Sequence, residues 1–340
     1  MITPTDSPGI ALSNSGSPAS TPHPGEPEPT LDLEIVDRRV VADAVVELTF
    51  ASPERADLPA WDPGAHIDLV LPDGAIRQYS LCGDPGDRQS YRVAVLREAD
   101  GRGGSRQIHD DLRIGQRLTI QGPRNHFPFR PSARLLFIAG GIGVTPLIPM
   151  IRAAENAGAR WRMVYGGRTL ASMSYRDDLA AWGDRVTLWP EDTHGRIDLP
   201  GLLSDPAEDT HVYCCGPEPL LDAVQEHCAT WPSDALHVEH FSAADIDEST
   251  NTAFELELTE TGVTVEIPAD RTILDVVSND LKVFVSTSCS EGTCGTCETI
   301  VVSGEVDHRD VVLTPEEKEA NESMMICVSR CKGRRLVLEL

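Results

Sequence analysis

Four cysteines near the C-terminus have a spacing that suits a metal cluster. Cys289, Cys294 and Cys297 lie within the segment CSEGTCGTC, and Cys327 is the next cysteine along the chain. The resulting pattern, C-x4-C-x2-C-x29-C, is the plant-type arrangement for a [2Fe–2S] cluster, which thiolates bind as soft, charged donors. The two glycines of the segment would let its backbone fold tightly around the inorganic sulfides.

Other uses of cysteine fit this segment less well. A zinc site more often contains two C-x2-C pairs, whereas this segment has one. A thioredoxin-like pair would open a helix near a βαβ unit, but this pair lies on a loop after a predicted helix. Cys331, four residues after Cys327, remains outside the pattern, and we predict that it is a buried free thiol.

The cysteine count and the N-terminus indicate a reducing compartment. Nine cysteines are an odd number, which argues against a complete disulfide framework. No Lys or Arg precedes Arg38 and the start of the chain has no apolar region, so it does not have the pattern of a secretory signal. We therefore expect a cytoplasmic protein.

The charge of the chain limits its partners. It has 54 acidic and 29 basic residues, for a formal net charge of -25. Such a surface repels nucleic acid and suits a protein partner with a basic patch, although it could serve solubility alone.

One apolar run has to be distinguished from a membrane span. Residues 135–151, LLFIAGGIGVTPLIPMI, are uncharged but include three glycines and two prolines. A span needs about 20 apolar residues. We therefore expect no membrane insertion, and this run is predicted to be a buried strand, a Gly-rich turn and the start of a helix.

Composition and periodicity divide the chain into five segments. Residues 1–30 are rich in Pro, Ser, Thr and Gly and are predicted to be disordered. Residues 31–131 contain short strand patterns between turn signals, which predicts an antiparallel β-barrel. Residues 132–241 alternate apolar strands with helical stretches, which predicts an α/β domain with a parallel sheet. Residues 242–253 have the composition of a linker, and residues 254–340 form a last domain with a hairpin, a helix and a closing strand.

Two motifs in the barrel segment could bind a phosphate-containing cofactor. In RQYSL, Arg77 and Tyr79 fall on one face of a predicted strand and Ser80 on the other. In GRGGSRQIHDDL, a Gly-rich turn precedes a helix, whose N-terminal N–H groups could bind a phosphate. That turn comprises Gly103, Gly104 and Ser105. An ordinary helix start with Ser105 as its cap is the alternative.

Two motifs in the α/β segment lie where a parallel sheet binds nucleotides. GGIGVTP, residues 140–146, follows a buried strand and opens a helix. Because Pro146 replaces the third glycine, it is not the full dinucleotide fingerprint, and a tight turn is the alternative. CCGP, residues 214–217, ends another strand, and the C-terminal ends of parallel strands face the ligand crevice.

Taken in order, the motifs R-x-Y-S, G-G-x-G-x-T-P, C-G-P and the cysteine pattern resemble those of the phthalate dioxygenase reductase family, which includes the vanillate demethylase reductase subunits. The resemblance covers about residues 31–340. It implies a multidomain protein with a flavin-binding β-barrel, an NAD(P)-binding α/β domain and a C-terminal β-grasp ferredoxin domain. It also implies three cofactors: FMN, a [2Fe–2S] cluster and NADH, with NADPH possible.

The resemblance implies roles for individual residues. Arg77 would contact the flavin phosphate, Tyr79 would pack on the flavin, and Ser80 would bond near flavin N5. The rest of the phosphate site would be Gly103, Gly104, Ser105 and Arg97. The nucleotide site would be Gly140, Gly141, Gly143, Thr145, Arg168, Cys215, Gly216 and Pro217, with Cys215 beside the nicotinamide. Phe241 would close the nucleotide domain against the flavin. The cluster ligands would be Cys289, Cys294, Cys297 and Cys327.

The implied function is electron transfer from NAD(P)H through FMN to the cluster and on to a separate oxygenase. No side chain has to act as an acid or base, because the cofactors carry the chemistry. A Rieske-type aromatic oxygenase or O-demethylase is the expected partner, and a cytochrome P450 is the alternative. A hypothesis of another class is a non-enzymatic iron–sulfur redox sensor. The sequence leaves open the oxygenase, the oligomeric state and the role of the N-terminal tail.

Overall fold

The computed structural model of the protein describes residues 30–99, 101–205, 209–244 and 246–340. The segment predicted to be disordered lies outside these residues, except for Thr30, which opens the first strand. Among the described residues, no helix is long and apolar enough to cross a membrane.

The first domain is an antiparallel barrel with one helix. Its elements are β1 (Thr30–Ala42), β2 (Val45–Ala51), β3 (His66–Val70), β4 (Ile76–Ser80), β5 (Ser90–Leu96), α1 (Gly104–Asp111) and β6 (Arg117–Arg124). The strand order is β4-β3-β6-β1-β2-β5, and a bridge between Leu81 and Val93 joins the two ends of the sheet. The pleat sends alternate side chains inward: in β6, Leu118 and Ile120 are buried while Thr119 is exposed.

The second domain is a five-stranded parallel sheet with helices. Its elements are β7 (Arg134–Gly140), α2 (Val144–Asn156), β8 (Arg160–Gly167), α3 (Arg176–Ala180), β9 (Val186–Pro190), α4 (Glu191–His194), α5 (Leu199–Leu203), β10 (Thr210–Cys215), α6 (Glu218–His227) and β11 (Leu236–Glu239). The strand order is β11-β10-β7-β8-β9, with every pair parallel. After Arg134, the sequence of β7 is continuously apolar because both faces of the strand are buried, as is usual in parallel sheets.

The third domain is a small mixed sheet. Its elements are β12 (Phe254–Leu258), β13 (Val263–Ile267), α7 (Ile273–Asp275), β14 (Glu298–Ser303), β15 (Val306–Asp307), α8 (Pro315–Ala320), β16 (Ser323–Met325), β17 (Arg330–Cys331) and β18 (Arg335–Leu338). The main sheet has the order β13-β12-β18-β14-β16, in which β12 and β18 are parallel. A π-helical turn, Val276–Asp280, continues α7. β15 and β17 form a separate two-stranded sheet.

The architecture confirms the predicted fold class of barrel, parallel α/β domain and C-terminal ferredoxin-like domain. The predicted hairpin is β12 with β13, and the predicted closing strand is β18. The described part of the predicted linker contains a 3-10 turn, Glu248–Thr250. Asn251, which follows this turn, accepts a hydrogen bond from Arg309 at 2.7 Å. The end of the linker therefore packs on the third domain.

Candidate functional site

One cavity of about 230 Å³ lies where the three domains meet. The barrel contributes β4 and the start of α1, the α/β domain contributes the turn before α2 and the end of β11, and the third domain contributes the cysteine loop before β14. The residues that line it include His66, Arg77, Gln78, Tyr79, Ser80, Arg102, Gly104, Ser105, Ile142, Thr145, Glu239, Phe241, Cys289, Glu291 and Thr293. Motifs that are more than 200 residues apart in the sequence, such as those of Arg77 and Cys289, therefore border a single space.

Arg77 and Gly104 pack against each other at the cavity wall. The Arg77 guanidinium donates to the carbonyl oxygen of Ile76 at 2.7 Å. A Cβ atom at Gly104 would lie 2.5 Å from Arg77 Nε, so the close approach requires glycine. Gly104 is the first residue of α1, and its N-cap Gly103 has a φ of 92°, in the left-handed region. A guanidinium and a helix N-terminus that border one cavity suit a phosphate group.

Two predicted phosphate residues have other partners. Ser105 is not the cap of α1: it lies in the first turn, and its hydroxyl accepts a hydrogen bond from the Glu98 backbone N–H at 3.1 Å. Arg97 is not among the described residues that line the cavity. Its guanidinium donates to both carboxylate oxygens of Asp110, at 2.5 and 2.9 Å. The prediction that Arg97 belongs to the phosphate site is therefore not supported.

Tyr79 and Ser80 follow Arg77 on the wall of the cavity. Tyr79 lines the cavity and also packs against the barrel core, and burial raises its pKa. Ser80 is buried and lies opposite His66 on the neighbouring strand β3. The strand thus presents an aromatic ring and a hydroxyl to the same space, as a flavin ring with a polar edge requires.

Glu239 connects Ser80 to Cys215. The Cys215 thiol donates to the Glu239 carboxylate at 3.8 Å. Burial raises the pKa of Glu239 to about 8, although hydrogen bonds from Cys215 and Ser80 act in the opposite direction and lower it. Burial, together with the nearby Glu239 carboxyl, also raises the pKa of Cys215. At neutral pH this part of the cavity therefore holds a neutral thiol and a largely protonated carboxyl.

The two nucleotide motifs are packed together by glycines. A Cβ atom at Gly143 would lie 2.3 Å from the carbonyl oxygen of Cys215, and one at Gly140 would lie 2.6 Å from Pro217 Cδ. The GGIGVTP turn therefore lies directly against the CCGP segment at the C-terminal edge of the parallel sheet. Thr145, which lines the cavity, donates its hydroxyl to the Ile142 carbonyl at 3.0 Å.

Two further predicted residues lie at the edge of this crevice. Phe241 follows β11, lines the cavity and is 43% exposed. Arg168 is exposed and lies immediately after β8. Both positions are open to a nucleotide that approaches the sheet from solvent.

The four predicted cluster cysteines converge on one loop region. Cys294, Cys297 and Cys327 are buried, and Cys289 is partly buried. Hydrogen bonds from Cys294 and Cys327 lower the pKa of Cys289, and a hydrogen bond from Cys327 lowers that of Cys297. Each of the four sulfurs therefore contacts at least one other sulfur of the set.

The four sulfurs form one connected set, in which Cys289 contacts Cys294 and Cys327, and Cys327 contacts Cys297. In the described part of the chain, no three His, Cys, Asp or Glu side chains have the arrangement that holds a single metal ion. A [2Fe–2S] cluster needs four thiolates distributed over two irons. Four thiols in mutual contact on one loop region fit that requirement.

Backbone N–H groups of the loop point at the sulfurs. Glu291 and Thr293 donate to Cys289 Sγ at 3.3 and 3.4 Å, and Thr296 donates to Cys294 Sγ at 3.5 Å. Such bonds stabilise thiolates and tune iron–sulfur clusters. The donors face the sulfurs because the loop turns sharply at two glycines, Gly292 (φ 71°) and Gly295 (φ 73°).

Cys331 lies apart from the four. It is buried in β17, its thiol donates to the Arg335 carbonyl at 3.4 Å, and it accepts from the Gly333 N–H at 3.3 Å. These local bonds fit the predicted free thiol.

The residues present fit both implied groups. For the cluster, four convergent thiols with amide donors form a matching set. For the flavin, the cavity has a cationic end at Arg77 and an aromatic wall at Tyr79. In addition, His66 Nε2 is buried without a hydrogen-bond partner among the described residues and belongs to a ring that lines the cavity. An orphaned buried nitrogen in such a place is satisfied by a bound polar group.

Sequence reasoning missed several residues of this site. Glu239 ends a strand of the parallel sheet beside Phe241, and that position at the ligand edge could have identified it. His66, Gln78, Arg102 and Glu291 carried no usable signal, because only the packing of three domains places them at one cavity.

Comparison with known proteins agrees with this site. Residues 256–332 match a model of the 2Fe-2S iron-sulfur cluster binding domain, and residues 137–226 match a model of the oxidoreductase NAD-binding domain. The chain is 41% identical over 301 residues to a phenoxybenzoate dioxygenase subunit beta from Ectopseudomonas oleovorans, covering 88% of this chain and 94% of the relative. It is 38% identical over 316 residues to the phthalate dioxygenase reductase of Burkholderia cepacia, covering 91% of this chain and 97% of the relative.

Two solved structures share the fold. The structure of phthalate dioxygenase reductase matches with a TM-score of 0.68 and 37% identity, over 92% of this chain and 98% of that one. An intact type IV self-sufficient cytochrome P450 monooxygenase matches with a TM-score of 0.86 and 43% identity, over 92% of this chain. The present chain spans 41% of that longer protein.

Fold and site together define an NAD(P)H-dependent oxidoreductase with a flavin and a [2Fe–2S] cluster. The extent and identity of the matches place the chain in the phthalate dioxygenase reductase family. FMN, the cluster and a nicotinamide nucleotide are the cofactors of this class, and an oxygenase component is its partner. Several relatives are named as reductases, which does not support the redox-sensor alternative.

Proposed function

We propose that this protein takes electrons from NADH and delivers them singly to a Rieske-type aromatic oxygenase or O-demethylase. The observation that carries the proposal is the single cavity bordered by the arginine of R-x-Y-S, the turn of GGIGVTP and the loop of the cluster cysteines. When bound there, FMN accepts a hydride and passes single electrons to the cluster. The residues of the chain itself bind the flavin and the nucleotide, orient them and shield them from water.

On the barrel side, we assign Arg77, Gly104 and Ser105 to the flavin phosphate. The guanidinium supplies a charge-assisted contact, and glycine lets it approach the helix N-terminus. Tyr79 packs on the ring, and Ser80 with Glu239 supplies neutral hydrogen-bonding groups at its polar edge. A protonated Glu239 can donate where an ionised carboxylate would repel electron density.

On the nucleotide side, we assign the turn of Gly140, Gly141, Gly143 and Thr145 to the pyrophosphate and Cys215–Pro217 to the nicotinamide. Close packing of the two segments leaves backbone N–H groups, with no Cβ atoms in the way, at the edge of the sheet. We assign Phe241, which lines the cavity, to closing the nucleotide domain against the flavin. NADH is the proposed donor, with NADPH as the alternative that exposed Arg168 would serve.

The acceptor is proposed from the relatives. Several are named as reductase components of aromatic oxygenase systems, including those for phthalate and vanillate. A cytochrome P450 is the second candidate, because a P450 fusion gives the higher TM-score. In the third domain, acidic residues outnumber basic ones, which suits a basic patch on a Rieske-type oxygenase or on a P450. All nine cysteines lie in the described residues and are free, which supports a cytoplasmic location.

The experiment compares the protein with Cys294→Ser. Both should retain FMN and reduce ferricyanide with NADH, because ferricyanide can take electrons from the flavin. Only the unmodified protein should reduce cytochrome c and support turnover by a purified Rieske oxygenase. Equal oxygenase turnover by both proteins would place the cluster off the electron path and reject the proposal. Faster electron delivery to a purified P450 than to any Rieske oxygenase would select the second candidate.

A further inference from the structure

The outer face of the barrel carries a polar group that a free barrel would expose to water. Asp68 on β3 and Gln78 on β4 are cross-strand partners, and Arg124 lies at the end of β6. Asp68 is nevertheless fully buried, and only 6% of the Arg124 side chain is exposed. Charged residues are buried when something covers and pairs them. Here the cover is the loop that holds the cluster cysteines.

A chain of hydrogen bonds joins this face to that loop. Arg124 pairs with the Asp68 carboxylate at 2.5 Å, and Gln78 donates to the same carboxylate at 3.1 Å. From the loop, Ser288 donates its hydroxyl to Asp68, and Thr293 donates its hydroxyl to Gln78 at 3.4 Å. We call these five residues the cluster-loop clamp.

The clamp contacts the loop next to two ligands. Ser288 precedes Cys289 and Thr293 precedes Cys294 in the sequence. Gln78 is the variable residue of R-x-Y-S, between the proposed phosphate arginine and Tyr79. The same short strand therefore contributes residues to the proposed flavin site and also contacts the cluster loop.

A second link between the domains lies at the surface. Arg102 and Glu291 form an ion pair at 2.5 Å, with 57% and 29% of their side chains exposed. Exposed ion pairs contribute little to stability, and salt screens them. Buried hydrogen-bonded charges are instead sensitive to geometry, since a misplaced partner leaves a charge unpaired. The clamp is thus the link that can fix the position of the loop.

We propose that Asp68 and Gln78 are positioning residues that hold the cluster loop, through Ser288 and Thr293, at a fixed separation from the flavin. This inference rests on the proposed function. The step concerned moves one electron from flavin to cluster, with no bond formed or broken, and its rate falls steeply with distance. The clamp therefore sets the internal electron-transfer rate without taking part in hydride transfer.

The test uses Ser288→Ala in the holoprotein, with Thr287→Ala as the matched control at the neighbouring exposed position. Anaerobic mixing with NADH should show flavin reduction followed by cluster reduction. In Ser288→Ala the first phase should be unchanged and the second slower, because one lost hydrogen bond to a charged group shifts the loop about tenfold towards arrangements in which it is not held at the fixed separation. Ser288→Thr, which keeps the hydroxyl, should restore the rate, and Thr287→Ala should match the unmodified protein.

A second readout does not depend on activity. Amide hydrogen exchange in residues 286–297 of the oxidised holoprotein should become about tenfold faster in Ser288→Ala, because the loop opens more often. In the same variant, high salt should slow cluster reduction further, since it screens the Arg102–Glu291 pair and leaves the Thr293–Gln78 hydrogen bond to hold the loop. The unmodified protein should be insensitive to salt. If Ser288→Ala fails to retain iron, the same exchange measurement is made on Gln78→Leu, which removes the barrel residue that accepts from Thr293.

The outcomes separate the two proposals. If NADH fails to reduce the cluster in the unmodified protein, the proposed function is wrong. If it succeeds but the cluster-reduction phase of iron-replete Ser288→Ala is unchanged, the clamp does not set the separation. Unchanged exchange in both Ser288→Ala and Gln78→Leu would likewise overturn the clamp.

Discussion

Cys215 and Glu239 are cross-strand partners at the C-terminal edge of the parallel sheet, and the thiol donates to the carboxyl at 3.8 Å. Cys215 is buried and Glu239 is partly buried beside it, and loss of solvation raises the pKa of both groups, so neither ionises readily. The pair thus gives the cavity a neutral polar wall at the point where the barrel and the nucleotide domain meet.

The stability of the protein should depend on this carboxyl. Loss of solvation on folding raises the pKa of Glu239 from its ordinary value of 4.5 to about 8. Between these values the folded state binds the extra proton, so its contribution to stability falls as pH rises, by up to about 1.4 kcal/mol per pH unit. Glu239→Gln should lose this component, whereas the exposed control Glu260→Gln should keep it. Denaturant unfolding of flavin-free protein from pH 4.5 to 9 measures the difference, and parallel curves for the unmodified protein and Glu239→Gln would contradict it.

Flavin retention should depend on Arg77. Arg77→Ala removes a charge-assisted contact worth about 1.5–3 kcal/mol, so FMN should be lost during purification while iron content stays constant. Arg117→Ala removes an exposed arginine elsewhere on the barrel and should keep the flavin. Flavin-to-protein ratios measured from absorbance decide this, and full occupancy in Arg77→Ala would rule out the assignment.

The glycine at position 143 should be needed for the nucleotide site. A Cβ atom there would lie 2.3 Å from a backbone oxygen, so Gly143→Ala must displace the turn and should destabilise the protein by about 1–3 kcal/mol. Reduction of the bound flavin by NADH should slow with flavin content unchanged. Gly83→Ala is the control, because its Cβ would make an ordinary contact at 3.4 Å. Normal NADH kinetics in Gly143→Ala would show that the turn does not touch the nucleotide.

The fourth cluster ligand should be Cys327 and not Cys331. Cys327→Ser should lose iron, since its thiol contacts those of Cys289 and Cys297, whereas Cys331→Ser changes only local bonds in β17. Iron and sulfide analysis of both variants checks this. Full iron in Cys327→Ser together with loss of iron in Cys331→Ser would make Cys331 the fourth ligand.

The sequence alone determined the chemistry and the order of the domains. The cysteine spacing, the Gly-rich turns and the change from alternating strands to strand–helix units are local patterns, and local patterns follow from backbone geometry and pleat. They predicted the barrel, the parallel sheet and the ferredoxin-like domain. They also predicted the cysteine set, and Arg77 and Gly104, which line the cavity.

The tertiary structure alone decided which side chains share the cavity. Arg97 fits a phosphate site by sequence, yet Asp110, thirteen residues away, holds it elsewhere. Glu239 gained its significance because a strand register places it beside Cys215. Asp68 and Ser288 are 220 residues apart, and their contact depends on how one domain covers another. Such contacts arise from the packing of distant surfaces, which no short stretch of sequence encodes.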